Sequence, residues 1–96
     1  MTVEVCELVD GKETVVAVVR YDERAGVIIE ADNEGTRETV ADRMDVYSID
    51  DGALWVADLP NAISTTYFWA RFADETSAAT AAALLEADDE GAEAEG

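Results

Sequence analysis

Histidine is absent from this 96-residue chain, and lysine, cysteine and proline each occur once. The absence of histidine removes the usual general base near neutral pH, every Ser-His or Cys-His nucleophile pair, and all imidazole metal ligands. The glycines never occur in GxGxxG or GxxxxGK spacing, so no phosphate-binding loop is indicated. These absences favour a non-catalytic protein without a cofactor.

The single cysteine, Cys6, excludes an internal disulfide and is consistent with a reducing compartment. Its neighbours Glu4 and Glu7 are expected to raise the pKa of the thiol, which favours a small buried side chain over a nucleophile. The N-terminus has no basic start followed by an apolar run, and the longest apolar runs, such as VVAVV and AAALL, are too short to span a membrane. We therefore expect a soluble cytoplasmic protein with no membrane contact.

Basic residues are scarce. The chain contains 6 Lys and Arg residues and 23 Asp and Glu residues, which gives a net charge of -17. The hydrophobic content of 49% is nevertheless too high for a disordered acidic chain. Dispersed acids with a single lysine and abundant Ala, Val and Thr resemble the composition of proteins from salt-accumulating halophiles, in which high salt screens the self-repulsion. The alternative is a functional acidic surface, as in a nucleic-acid mimic or a cation buffer.

Two Asp-Gly pairs separate strand-like segments. TVEVCELV and TVVAVVRY flank Asp10-Gly11, and MDVYSID and ALWVAD flank Asp51-Gly52. Because Asp and Gly both tolerate the positive φ of a type I′ turn, a β-hairpin is predicted at each pair. The segment DERAG is expected to turn the second strand into VIIEA, and residues 59–61 (LPN) to turn the fifth strand into a sixth.

Two short helices are predicted, one at residues 36–44 with Thr36 as N-cap and one at residues 75–87 with Asp74 as N-cap. The fold class is therefore α+β, with a mainly antiparallel sheet of about six strands in β-β-β-α-β-β-β-α order. Whether the two halves form a true repeat is left open. Residues 1–87 are expected to form a single domain, and residues 88–96 an acidic disordered tail.

Carboxylates are the one catalytic resource in quantity. The pairs Asp32 with Glu34 and Asp50 with Asp51 can in principle bind Mg²⁺ or Ca²⁺ through oxygen ligands, although their spacing does not match an EF-hand loop. In so acidic a chain, adjacent carboxylates also arise by chance. We expect turn or surface acids here rather than a metal site, and a small enzyme that uses carboxylates and a divalent cation is the alternative function.

Aromatic residues are concentrated in residues 63–72, ISTTYFWARF, although the aromatic content of the chain is only 7%. As a strand, this segment places Thr65, Tyr67, Trp69 and Arg71 on one face and Phe68 among the residues of the other. Both faces then carry aromatic rings, either because helices cover one face and barrel-like closure covers the other, or because one face closes against a partner.

Tyr, Trp and Arg are enriched at interface hot spots, so Tyr67, Trp69, Arg71 and Thr65 are the predicted partner-binding residues. The leading hypothesis is a small non-catalytic assembly module of a high-salt cytoplasm, with a second copy of the chain as the simplest partner. A regulatory or nucleic-acid binder is a third possibility. It is disfavoured because five dispersed arginines form no basic stripe.

Overall fold

A computed structural model describes residues 1–46 and 52–95. Its elements, in chain order, are β1 (Thr2–Val9), β2 (Lys12–Asp22), β3 (Gly26–Ala31), α1 (Glu34–Val46), α2 (Gly52–Ala62), β4 (Phe68–Phe72) and α3 (Glu75–Glu95). The strands form one sheet in the order β3-β2-β1-β4, and every neighbouring pair is antiparallel. The predicted α+β class is confirmed.

The first three strands form a meander whose turns follow the predicted chemistry. Asp10 and Gly11 both have positive φ, of 52° and 77°, so the predicted hairpin between β1 and β2 is confirmed. Between β2 and β3, Asp22 Oδ1 accepts hydrogen bonds from the backbone N–H groups of Arg24 and Ala25. These contacts close the turn expected at DERAG.

A β-bulge interrupts the pairing of β1 with β2. Val5 is paired with Ala17 and Cys6 with Val15, so Val16 is the extra residue on β2. Val16 and Ala17 are both buried in the hydrophobic core. The bulge therefore lets two successive residues of β2 face the helices. As a result, odd-numbered residues before the bulge, such as Val15, lie on the same side of the sheet as even-numbered residues after it, such as Val18.

The core lies between the sheet and the helices. Alternate residues of the strands, including Val3, Val5 and Val19, are fully buried against apolar side chains of α1 and α2. The helical contribution consists of Val40, Trp55, Val56 and Leu59. In the part of the chain that the structure describes, no helix is long and apolar enough to cross a membrane.

The predicted six strands and the β-β-β-α-β-β-β-α order are wrong. ALWVAD lies in α2 and not in a strand, MDVYSID begins inside α1, and its remaining residues and Asp51 lie outside the described residues. Four strands are present in the described part instead of about six. The apolar run of residues 53–57 has no strict alternation, and such a run is compatible with a buried helix as well as with a strand. Tertiary packing decides for the helix here.

Gly52 begins α2 and does not form a hairpin turn. A Cβ atom at this position would lie 2.8 Å from Val27 Cγ2 on β3. The glycine thus permits close approach of the helix to the sheet. The turn predicted at residues 59–61 is also wrong, because Pro60 lies inside the last turn of α2, and the backbone N–H of Ile63 donates to Leu59 O.

The other helices begin near the predicted positions. α1 spans Glu34–Val46, and its N-cap is Asn33 rather than Thr36, because Asn33 Oδ1 accepts the backbone N–H of Thr36 at 2.8 Å. For α3, Asp74 Oδ1 accepts the N–H of Ser77 at 2.7 Å, as expected of the predicted cap. The backbone of α3 remains helical to Glu95, through the segment predicted as a disordered tail, whose alanines and glutamates are strong helix formers.

Candidate interaction face

One face of the sheet is turned away from the helices. Because side chains alternate along each strand, the residues between the buried positions Val3, Val5, Ala17, Val19 and Ala70 lie on this opposite side. We call it the helix-free face. It consists of Thr2, Glu4, Cys6 and Leu8 of β1, Glu13, Val15, Val18, Arg20 and Asp22 of β2, Gly26, Ile28 and Glu30 of β3, and Trp69 and Arg71 of β4.

An apolar row crosses the middle of the helix-free face. Val15, Cys6 and Trp69 are direct cross-strand neighbours on β2, β1 and β4. Leu8 lies next to Cys6 on the same side of β1, and Val18 lies opposite Glu4. Val15 is 36% exposed and Trp69 is half-buried, so the row presents apolar surface to its surroundings.

One set of ion pairs crosses the apolar row at Cys6, and another borders the row. Arg71 Nε lies 3.3 Å from Glu4 Oε1, its direct cross-strand neighbour, and Arg71 Nη1 pairs with Glu13 Oε1 of β2. At the other end of the face, Arg20 pairs with Glu30 across β2 and β3. Both guanidinium groups of the face are therefore engaged by carboxylates of the same face.

Cys6 is fully buried although it lies on the helix-free face. Trp69 and Val15 flank it, and the ion pair between Arg71 and Glu13 spans the strand that carries it. Burial raises the pKa of the thiol, the guanidinium of Arg71 opposes that shift, and the carboxylates of Glu13 and Glu4 reinforce it. The thiol is thus protonated and covered at neutral pH. The second carboxylate acting on it is Glu13 and not the expected Glu7, because the alternation of β1 turns Glu7 to the opposite side.

The structure divides the predicted partner-binding residues into two groups. Trp69 and Arg71 lie together on the helix-free face. Thr65 belongs to a tight turn, and Tyr67, which is 68% exposed, lies at that turn and lines a cleft beside α1. The strand predicted for residues 63–72 contains only Phe68–Phe72, preceded by an isolated bridge from Ser64 to Trp69. Partner binding by Trp69 and Arg71 stays a prediction, whereas Thr65 and Tyr67 lie away from the face that carries them.

Closure of the sheet into a barrel, one of the expected alternatives, does not occur among the described strands. β3 and β4 occupy opposite edges of the sheet, and β1 and β2 separate them. Helices cover one face, and none of the described helices contributes to the core from the other face. Of the two alternatives for the aromatic segment, closure against a partner is the one that this arrangement leaves open.

Of the acidic pairs considered as metal ligands, the pair in the described part of the chain, Asp32 with Glu34, lies apart from the helix-free face. Asp32 and Glu34 are exposed residues at the start of α1, and Asp50 and Asp51 lie outside the described residues. Among the side chains that the structure describes, no group of three or more Cys, Asp or Glu residues is placed to hold a metal ion.

Comparison of the chain with known protein families, with curated proteins and with solved structures finds no match.

Proposed function

We propose that this protein is a small non-catalytic assembly module that self-associates through its helix-free face in a high-salt cytoplasm. The observation that supports this proposal is the contrast between that face and the rest of the chain. The face combines an apolar row with internally paired charges, whereas the whole chain carries a net charge of -17.

The charge distribution favours a second copy as the partner. The helix-free face carries four carboxylates, those of Glu4, Glu13, Asp22 and Glu30, and the guanidinium groups of Arg20 and Arg71, which leaves a net charge of -2 on the face out of the chain's -17. Two such chains repel each other through most orientations. Approach through the helix-free faces brings little charge together and removes the exposed parts of Val15 and Trp69 from water.

The paired arginines also argue against nucleic acid as the partner. A phosphate backbone requires free cationic side chains, and its binding energy comes largely from the counterions that they displace. Arg71 already contacts two carboxylates, and Arg20 contacts one. Phosphate binding at this face would first have to break those pairs.

The size of the face predicts a weak dimer. Four strands about 4.8 Å apart and about seven residues long cover roughly 19 by 23 Å, or about 440 Å² per copy. Two copies would bury on the order of 900 Å², which is below the ~1,200–2,000 Å² of a standard stable interface. We therefore propose two sheets packed face to face with the helices outside, in an equilibrium that depends on concentration and salt.

Sedimentation equilibrium in molar KCl tests this proposal. The average mass of the wild type should rise from 10.3 kDa towards twice that value as the protein concentration increases. Trp69→Ala should weaken association by on the order of 2 kcal/mol, or roughly 30-fold in Kd, because it truncates the largest side chain of the face. Tyr67→Leu, which changes an exposed aromatic residue of the cleft beside α1, is the matched control and should associate like the wild type. A wild type that stays monomeric at millimolar concentration would contradict the proposal.

The proposed high-salt setting has a separate test. Because like charges dominate the chain, raising KCl towards molar concentration should increase the free energy of unfolding by screening their repulsion. Circular dichroism melts across a KCl series measure this effect, and a matched series with sucrose, which does not screen charge, is the control. A melting temperature that is high in dilute buffer and unchanged by KCl would remove the halophilic interpretation.

A further inference from the structure

A cleft of about 510 Å³ lies on the other side of the sheet, between the start of α1 and the end where β1 meets β4. Its lining includes Tyr67, Phe68, Glu7, Thr36 and Thr39. This volume is within the range of small-molecule sites, roughly 300–1,000 Å³. None of the lining residues belongs to the helix-free face, so the cleft is independent of the proposed dimer contact.

Tyr67 is held at the rim of the cleft by a rigid turn. The backbone N–H of Thr65 donates to Phe68 O at 2.8 Å, the N–H of Phe68 donates to Thr65 Oγ1 at 2.9 Å, and that hydroxyl donates back to Phe68 O at 2.7 Å. The N–H of Leu8 on β1 donates to Tyr67 O at 3.0 Å. The backbone of Tyr67 is thus fixed while its side chain stays 68% exposed, so the ring has little packing role of its own.

Glu7 supplies a carboxylate to the same cleft. It is the cross-strand partner of Phe68, the residue next to Tyr67, and its side chain is exposed. The three ion pairs found in the described part of the chain do not include Glu7. Within the described side chains, a carboxylate without an ion-pair partner therefore lies beside an exposed aromatic ring.

The helical wall of the cleft is not arranged for an anion. Asn33 Oδ1 already accepts the N–H of Thr36, and Glu34 adds a negative charge to the first turn of α1. Thr39 Oγ1 donates to Gly35 O. Among the side chains that the structure describes, no lysine or arginine lines the cleft, and the chain as a whole carries a strong negative charge.

We propose that this cleft binds an organic cation of the alkylammonium class, with the charged group between the ring of Tyr67 and the carboxylate of Glu7. An aromatic ring face attracts such a cation electrostatically, most effectively when the cation is weakly hydrated. A quaternary ammonium group meets that requirement better than K⁺, which is the smaller ion and the more strongly hydrated of the two. The methyl groups of the ligand also contact the apolar surface of Phe68, and the threonines form the polar rim.

Titration with tetramethylammonium chloride, followed by NMR of the Tyr67 ring and of the Glu7 and Thr36 amides, tests the proposal. NaCl at the same ionic strength is the salt control, and tert-butanol is a neutral probe of similar shape. The wild type should show saturable shifts with tetramethylammonium alone. Tyr67→Leu and Glu7→Gln should each weaken binding about two- to fivefold or more, while Glu23→Gln, which removes a charge outside the cleft, should bind like the wild type.

Thermal melts of the same variants show whether they fold, and both substitutions are at exposed side chains. Equal shifts with tert-butanol would overturn the proposal, because they would indicate an apolar cleft that does not recognise charge. Linear shifts without saturation, or binding unchanged in folded Tyr67→Leu, would overturn it as well.

Discussion

Arg71 of β4 pairs with Glu13 of β2 across β1, at the position where Cys6 lies between their two strands. The same guanidinium contacts Glu4 on β1. The burial of the Cys6 thiol on the helix-free face therefore has two causes. The ion pair crosses over it, and Trp69 and Val15 flank it on the neighbouring strands. The ion pair closes the centre of the face.

Opening this pair should expose the thiol. In Glu13→Gln the guanidinium of Arg71 loses a charged partner, so access to Cys6 increases, and the pKa of the thiol falls because a carboxylate that raises it is gone. Both effects accelerate modification, and the rate of labelling by a maleimide should rise severalfold. Glu30→Gln is the control, since it breaks the pair with Arg20 on the same face but away from Cys6. Equal rates in the wild type and both variants would show that the pair does not cover the thiol.

The two glycines that follow aspartate should respond differently to alanine. Gly52→Ala places a Cβ 2.8 Å from Val27 Cγ2 and should cost about 1–3 kcal/mol of stability through overpacking. Val27→Ala in the same chain should recover part of that loss. Gly11→Ala should cost about 1–2 kcal/mol because its φ is 77° and its surroundings are open, so no neighbouring truncation can rescue it. Urea unfolding of the single and double variants measures both effects, and absence of rescue at residue 52 would contradict the close approach.

The cap of α3 should make stability depend on pH. The N–H of Ser77, and then its hydroxyl, hold the pKa of Asp74 below its ordinary value in the folded chain. A carboxyl group with a lowered folded pKa contributes stability above its unfolded pKa, about 3.9, and loses that contribution as the pH falls through the folded value. The melting temperature in molar KCl should therefore fall as the pH is lowered from about 5 to about 3.

Asp74→Asn isolates this effect, because asparagine can cap the helix but does not titrate. Its melting temperature should change less with pH than that of the wild type. Glu75→Gln removes a neighbouring charge without removing the cap and should keep the wild-type slope. If Asp74→Asn and the wild type have the same slope, the cap does not contribute to the acid response.

Local signals in the sequence predicted the meander and the beginning of α3. Turn chemistry at residues 10–11 and 22–26 and the cap at Asp74 act over a few residues, so they can be recognised without knowledge of the fold. The segment ALWVAD was predicted as a strand and is helical, because its conformation depends on long-range packing and not on local signals. A run such as ALWVA suits any buried element, and the choice of helix depends on its packing under the sheet, including the approach of Gly52 to Val27.

The candidate face was only partly visible in the sequence. Alternation along β4 correctly placed Trp69 and Arg71 together. Their neighbours Glu4 and Glu13 are 67 and 58 residues away from Arg71, and no local pattern reports which strands lie side by side. Thr65 and Tyr67 were wrongly placed in the strand for a related reason, because the sequence did not show that a turn precedes β4.

The most direct test of self-association through the helix-free face is the concentration dependence of amide NMR shifts in molar KCl. Spectra of the wild type at about ten micromolar and at about one millimolar would be compared residue by residue, a range that brackets a weak dimer. We expect shifts concentrated at Trp69, Val15, Leu8 and Cys6, with the Trp69 indole N–H among the largest, and none in the helices. Shifts confined to the helices, or none at any concentration, would contradict the account.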